Sequence, residues 1–315
     1  MTDARAAAGT DGYRSGFVTV VGRPNVGKST LVNQVLGTKV TITSPRPNTT
    51  RRAVRGVLHR PGLQAVFVDT PGLHKPRSAL GHRLNEHVSA ALDDVDVVIA
   101  VLDASMDLGP GDRLVLERAA SACRRPARTD DATTELSQLL LAVNKIDRAT
   151  PAQVLSQLAA ARAVVEGAST EVDRGVEYFA VSATTGEGTE ALVAAVLARL
   201  PEGPPYFPDD MVTDVPEAFW VAELVREQLL ARVREELPHS IACRVTEWEW
   251  PRIRVEILVE RESQKAIVIG HGGSVLKEVG TAVRHQLPEG AFLELHVRVE
   301  KRWQQRSDLV ERLGY

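Results

Sequence analysis

"FVTVVGRPNVGKSTLVNQVLG", residues 17–37, passes from a run rich in β-branched residues, through a glycine loop, into an apolar period that stops at Gly37. Phe17–Val21 reads as a strand buried on both faces. Leu31, Val32, Val35 and Leu36 share one face of the helix that follows. Between them, Gly22–Ser29 matches G-x-x-x-x-G-K-S in the strand–loop–helix setting that this spacing requires. The glycines let the backbone curl so that its N–H groups converge at a helix N-terminus, a cradle for phosphate. Lys28 is expected to reach the β- and γ-phosphates and Ser29 to ligate Mg²⁺. Gly22, Arg23, Pro24, Asn25, Val26, Gly27 and Thr30 complete the wall. A chance glycine turn is the competing reading, and the flanks weigh against it.

Outward from this loop the same alternation continues to about Leu200. "LQAVFVDT", "VDVVIAVLDA", "LLLAVNKID" and "EYFAVSA" are strand-like, and "ALGHRLNEHVSAAL", "PAQVLSQLAAARAVV" and "GTEALVAAVLARL" are helical. Apolar strands alternating with helices predict an α/β domain over 15–200, a mostly parallel sheet with helices on both faces. Its ligand belongs at the carboxyl ends of the strands. Residues 1–14 read as a disordered N-terminal tail, and 124–135 as a polar surface insertion. "PEGPPYFPDDMVTDVPE" begins a Pro-rich linker, 201–216, before a second module over 217–315.

Composition narrows the class. Of the 315 residues, 43% are hydrophobic and 25% charged, enough for two cores in a water-soluble chain. Two distant cysteines, Cys123 and Cys243, form no disulfide framework and no zinc motif, which fits a reducing cytoplasm. No apolar run is long enough to span a bilayer. A net charge of −3 gives no global nucleic-acid signal.

Three further loops stand at strand ends. In "DTPG", Asp69 is placed to hold Mg²⁺, with Thr70, Pro71 and Gly72 beside the phosphates. In "NKID", Asn144 and Lys145 lead to Asp147, whose carboxylate can accept from guanine N1–H and N2–H₂. Adenine would leave that acceptor unpaired, so GTP is favoured over ATP. "VSAT" supplies Ser182 and the Ala183 N–H for guanine O6. Four such loops in this order resemble the GTPase family of P-loop proteins. That resemblance implies a switch in "KVTITSPRPNTTRR", where Thr50, or alternatively Thr49, closes over Mg²⁺. Lys28, Thr50, Asp69 and Gly72 form the expected catalytic set. Leu73 stands where Ras-like enzymes carry a water-orienting glutamine, so slow turnover is expected. His74 is a weaker candidate for that task. The resemblance also implies that Asn25 can help bind K⁺, which would do the work of an arginine finger.

After 217 the pattern is helix, strand, strand, helix, Gly-x-x-Gly, helix, strand. It resembles a type II KH domain, in which the Gly-x-x-Gly loop clamps about four single-stranded nucleotides. The loop is Gly270, His271, Gly272 and Gly273, flanked by Lys265, Ile269, Ser274 and Lys277. Propensity alone would make "AIVI" a strand. The module holds 15 Lys+Arg against 16 Asp+Glu, so any positive face is local. "GRPNVGKSTLVN", "ITSPRPNTTR", "VDTPGLHKP", "LAVNKID", "ILVERESQKAIVIGHGGSVLKEVG" and "LGY" together resemble the Era-like family of bacterial ribosome-assembly GTPases. That resemblance implies binding to the 3′ end of 16S ribosomal RNA and a part in 30S subunit maturation; a monomer is a separate expectation. The resemblance also implies a cytoplasmic protein in peripheral association with the inner membrane. A tandem GTPase would need a second phosphate loop, and a tRNA-modifying GTPase a C-terminal cysteine; neither is in the sequence. A regulator that docks on a protein through Trp220, Trp248, Trp250 or Trp303 stays open.

Overall fold

β1 (Arg14–Val21) is buried along most of its length, because parallel neighbours flank it on both sides. In the computed structural model, which describes residues 12–73, 76, 78–93, 95–123, 138–168, 175–234 and 237–315, it begins the first of two compact units. The strand starts at Arg14, inside the expected tail, where Arg14 Nε donates to Leu200 O at 2.7 Å.

The first unit is built on a sheet of order β2-β3-β1-β4-β5-β6. Its strands are β1, β2 (Val54–Arg60), β3 (Leu63–Asp69), β4 (Val97–Asp103), β5 (Leu139–Asn144) and β6 (Glu177–Ala180). All pairings are parallel except β2 with β3. β2 was absent from the sequence reading, since "VRGVLHR" mixes charge with its Val and Leu; pairing with β3 supplies what its pattern lacks. Helices α1 (Lys28–Leu36), α2 (Ala79–Asp93), α3 (Pro110–Ala122) and α4 (Pro151–Ala168) connect strands, and α5 (Thr189–Ala198) follows β6. Val98, Ala100 and Leu102 of β4 pack with Leu139, Leu141 and Val143 of β5 against α3 and α4. Val97, Ile99 and Val101 are equally buried on the opposite face, as alternation requires. β3 lies on one side of β1 and β4 on the other, so the strand order reverses at the strand that leads into the glycine loop.

Residues 203–213 do not hang free as a linker. Val57 N–H donates to Val212 O at 2.8 Å, and Gln64 bonds Tyr206 and Phe207. The second unit begins at Val215 and also takes in residues 42–52 and 75–86.

That unit carries α6 (Glu217–Arg232), the single turn α7 (Leu237–Ser240), β7 (Ala242–Glu249), β8 (Arg252–Val259), α8 (Glu262–Ile269), α9 (Ser274–Arg284), β9 (Phe292–Val299) and α10 (Ser307–Arg312). β8 pairs antiparallel with β7 and parallel with β9. Ile253, Val255, Ile257 and Val259 pack with α6, Val268 of α8, and Val279 and Val283 of α9. "AIVI" is therefore helical: tertiary burial of Val268 overrides its β propensity. α6 is not amphipathic with a wet face, because Glu223, Arg226 and Glu227 are buried too. Residues 42–52 cover them: Glu227 Oε1 accepts from Thr43 N–H at 2.9 Å, and Arg226 donates to Thr49 O.

Candidate functional site

The loop after β1 turns through two left-handed residues, Asn25 (φ 67°) and Gly27 (φ 100°). Gly27 has to be glycine on two counts. Its φ disfavours any side chain, and a Cβ would lie 2.2 Å from Asn144 Nδ2. Asn144 ties three loops together. Its Nδ2 donates to Val26 O at 2.8 Å, while its Oδ1 accepts from the Ala183 N–H at 2.9 Å. The N–H assigned to guanine O6 thus already has an acceptor and would have to share it.

Lys145, also left-handed (φ 66°), donates from Nζ to Asn25 O and to Asp103 Oδ2, each at 2.6 Å. Asp103 at the end of β4 escaped the sequence reading, since a strand-end aspartate carries no signal of its own. Burial pushes its carboxyl up, but hydrogen bonds from Lys145 and Ser105 outweigh this and leave it below the usual carboxylate range. Asp147 Oδ1 accepts from Ser182 Oγ at 2.6 Å, which fixes the carboxylate's orientation.

Lys28 is buried at the start of α1, with Nζ donating to Gly22 O (3.2 Å) and Arg23 O (3.1 Å). Desolvation lowers its pKa to about 8, against the attraction of Asp69. Ser29 Oγ donates to Asp69 Oδ2 at 2.7 Å, and Thr41 Oγ1 donates to the same oxygen at 2.9 Å. Thr41 was also missed, because the sequence drew attention to Thr49 and Thr50. Thr70 Oγ1 donates to Val20 O, and Leu73 N–H to Gly22 O, so the "DTPG" turn lies against the glycine loop. Gly72 sits where a Cβ would be 2.6 Å from Pro24 N. Arg23 points elsewhere, pairing with Asp112 of α3 at 2.6 Å. Asn25 is exposed and Thr30 half-buried. Leu73 is a core residue, while His74 and 124–135 lie outside the described residues.

Thr49 and Thr50 belong to the second unit, whereas Ser29 and Asp69 belong to the first. Next to Thr50, the Arg51 guanidinium lies 5.5 Å from the Trp303 ring centroid and 5.3 Å from that of Tyr315. It donates to Ile241 O at 2.6 Å and His239 O at 3.1 Å. Trp303 is therefore core, as the donor from its Nε1 to Ser240 O also shows. Trp220 is half-buried, and Trp248 and Trp250 are exposed.

In the Gly-x-x-Gly loop, Gly270 adopts φ 76°, ψ 168°, a conformation open in practice to glycine alone. A Cβ there would meet Val275 Cγ2 at 2.6 Å. Gly272 and Gly273 are left-handed, yet nothing lies within 4 Å of a Cβ at either. Gly273 N–H closes the turn onto Gly270 O at 3.1 Å. His271, Gly272, Ser274 and Lys277 are exposed, and Lys265 is half-buried. Ile269 packs on the core, whereas Ile267, unremarked in the sequence, is 56% exposed on α8.

Fold and loops together define a P-loop GTPase domain joined to a KH domain. A family model described as a 50S ribosome-binding GTPase matches residues 17–145, and a KH domain model matches 236–304. GTPase Era of Mycobacterium tuberculosis (strain H37Rv) is 44% identical over 96% of this chain and 99% of its own length, and that of Mycobacterium bovis BCG equally so. A crystal structure of Era with MgGDPNP and nucleotides 1506–1542 of 16S ribosomal RNA superposes with a TM-score of 0.85. It is 36% identical, covering 96% of this chain and 99% of that one. A variant of Aquifex aeolicus Era bound to GDP·AlF₄⁻ gives 0.83 at 35% identity, with the same coverage. The chain belongs to the Era GTPase family.

Proposed function

We propose that this chain binds and hydrolyses GTP and uses its KH domain to take the 3′ end of 16S ribosomal RNA during 30S subunit maturation. The observation that carries the reading is the Asn144 side chain, which links the glycine loop, "NKID" and "VSAT" into one cradle. Lys28 then stabilises negative charge on the β- and γ-phosphates, Asp147 recognises guanine, and Gly72 positions the γ-phosphate side. Ser29 and Asp69, both hard oxygen donors already in contact, suit Mg²⁺, which supplies charge neutralisation at the phosphates. Thr50, held in the second unit, is the ligand that GTP would recruit; its recruitment would release residues 42–52 from α6 and so report nucleotide state to the RNA module. Asn25, exposed at the loop tip, suits a K⁺ ion beside the phosphates. A monomer in the cytoplasm, in peripheral contact with the inner membrane, completes the reading; no described helix is long and apolar enough to cross a bilayer.

Two measurements test it. Asp147→Asn should weaken GTP binding about 100-fold, roughly 2.7 kcal/mol, and favour xanthine nucleotides, whose O2 accepts from the new amide. Unchanged GTP affinity by calorimetry would remove the guanine assignment. Phosphate release should run several-fold faster in K⁺ than in Na⁺ buffer, and Asn25→Ala should equalise the two. Equal wild-type rates refute the K⁺ role.

A further inference from the structure

The KH sheet has a second face that the clamp does not use. Ile253, Val255 and Ile257 of β8 enter the core, so Arg252, Arg254, Glu256 and Leu258 point the other way. At one end this face carries a chain of ion pairs. Arg244 Nη2 meets Glu256 at 2.6 Å, Arg298 reaches Glu256 at 3.7 Å and Glu300 at 3.3 Å, and Arg306 reaches Glu300 at 3.1 Å and Asp308 at 2.9 Å. Arg312 of α10 joins the same three arginines and Glu300 around a cavity of about 290 Å³, with Leu258 in its wall.

Charge and geometry both suit an anion. The lining holds four arginines against one carboxylate, and counting Glu256 and Asp308 still leaves a cation in excess. Glu256 and Glu300 are only 14% and 19% exposed, so they brace the guanidinium groups more than they cover them. Each guanidinium has five donors in a rigid fork, and a carboxylate that engages two of them orients the rest. The Arg312 guanidinium makes no hydrogen bond and no close ion pair among the described residues, and its charge acts on Asp308 one turn earlier in α10.

We propose that this cavity is a second RNA phosphate site, holding one or two backbone phosphates of strand beyond the nucleotides in the Gly-x-x-Gly loop. It rests on the RNA reading above. The clamp grips about four nucleotides, far fewer than the RNA proposed for this chain, so the rest of the strand needs its own contacts. A walled cavity favours a phosphate carried on a flexible chain over a flat layer of lipid headgroups.

The test uses full-length protein loaded with a non-hydrolysable GTP analogue. Two RNAs are compared, one corresponding to the 16S segment 1506–1542 and one short single-stranded piece sized for the clamp. The Arg306→Gln/Arg312→Gln variant should bind the long RNA about tenfold more weakly. Its plot of log affinity against log salt should flatten by about 0.7 for each phosphate lost, with the short RNA unaffected. Arg252→Gln/Arg254→Gln, on the same face outside the cavity, should change neither, and thermal melts check that both variants fold. Wild-type binding of the long RNA by the cavity variant, or equal losses on both RNAs, overturns the site. Loss of binding to phosphatidylglycerol vesicles with RNA affinity intact assigns the cavity to lipid and likewise overturns it. Wild type that binds neither RNA sinks the RNA reading itself, and this site with it.

Discussion

The glycine loop after β1 and the glycine loop after α8 look alike in sequence and are built on opposite principles. Around the first, each wall is tied to another: Asn144 to Val26 and Ala183, Lys145 to Asn25, Ser182 to Asp147. Around the second, Gly272 and Gly273 face open space, and only Gly270 is hemmed in. A small ligand of fixed shape rewards a site organised before it arrives. A flexible strand gripped by its backbone needs room for approach, and glycine supplies that by omission.

The largest expected effect comes from breaking the tied loop. Gly27→Ala must displace Asn144 and strain a left-handed residue, so GTP affinity should fall more than about 100-fold, or 2.7 kcal/mol, in calorimetry. Retained affinity would mean that the amide linkage is incidental. At the open loop, Gly272→Asp should fold normally, since aspartate tolerates the left-handed region. It should weaken RNA binding about tenfold by repelling phosphate, with GTP affinity unchanged. Gly270→Ala separates the two glycine roles: strain and a Val275 contact should cost about 2 kcal/mol of stability, seen as a lower Tm. A Gly270 variant as stable as wild type would deny the distinction.

The smallest effect is one of pH. Burial lowers the pKa of Lys28 to about 8, and a phosphate beside it would raise that value. Below pH 8 the lysine is protonated with or without ligand, so affinity should be flat. Above it, binding takes up a proton, and affinity should fall by up to about tenfold per unit. RNA binding should lack this dependence, and a flat GTP profile to pH 9.5 would show that Lys28 is not desolvated.

Legibility in the sequence followed distance along the chain. Gly22–Ser29, Asp69 and Asp147 could be read because each motif is local and follows its own strand. The helix 262–269 could be read only through the order of its neighbours, against the propensity of Ile267–Ile269. β2, Thr41 and Asp103 could not, since each takes its meaning from a partner in another element: β3, Asp69 and Lys145. Nor could the assignment of residues 42–52 to the second unit, which depends on Glu227 and Arg226 about 180 positions later.

The Arg51 guanidinium between Trp303 and Tyr315 has a consequence for the order of synthesis. Every loop of the nucleotide cradle has been translated once Ala183 is made, so that cradle can form while the chain is still growing. Arg51 and its neighbour Thr50 must wait for residues 241–315 before their burial is complete. During that interval the side chain of Arg51 lacks every partner that buries it in the finished protein.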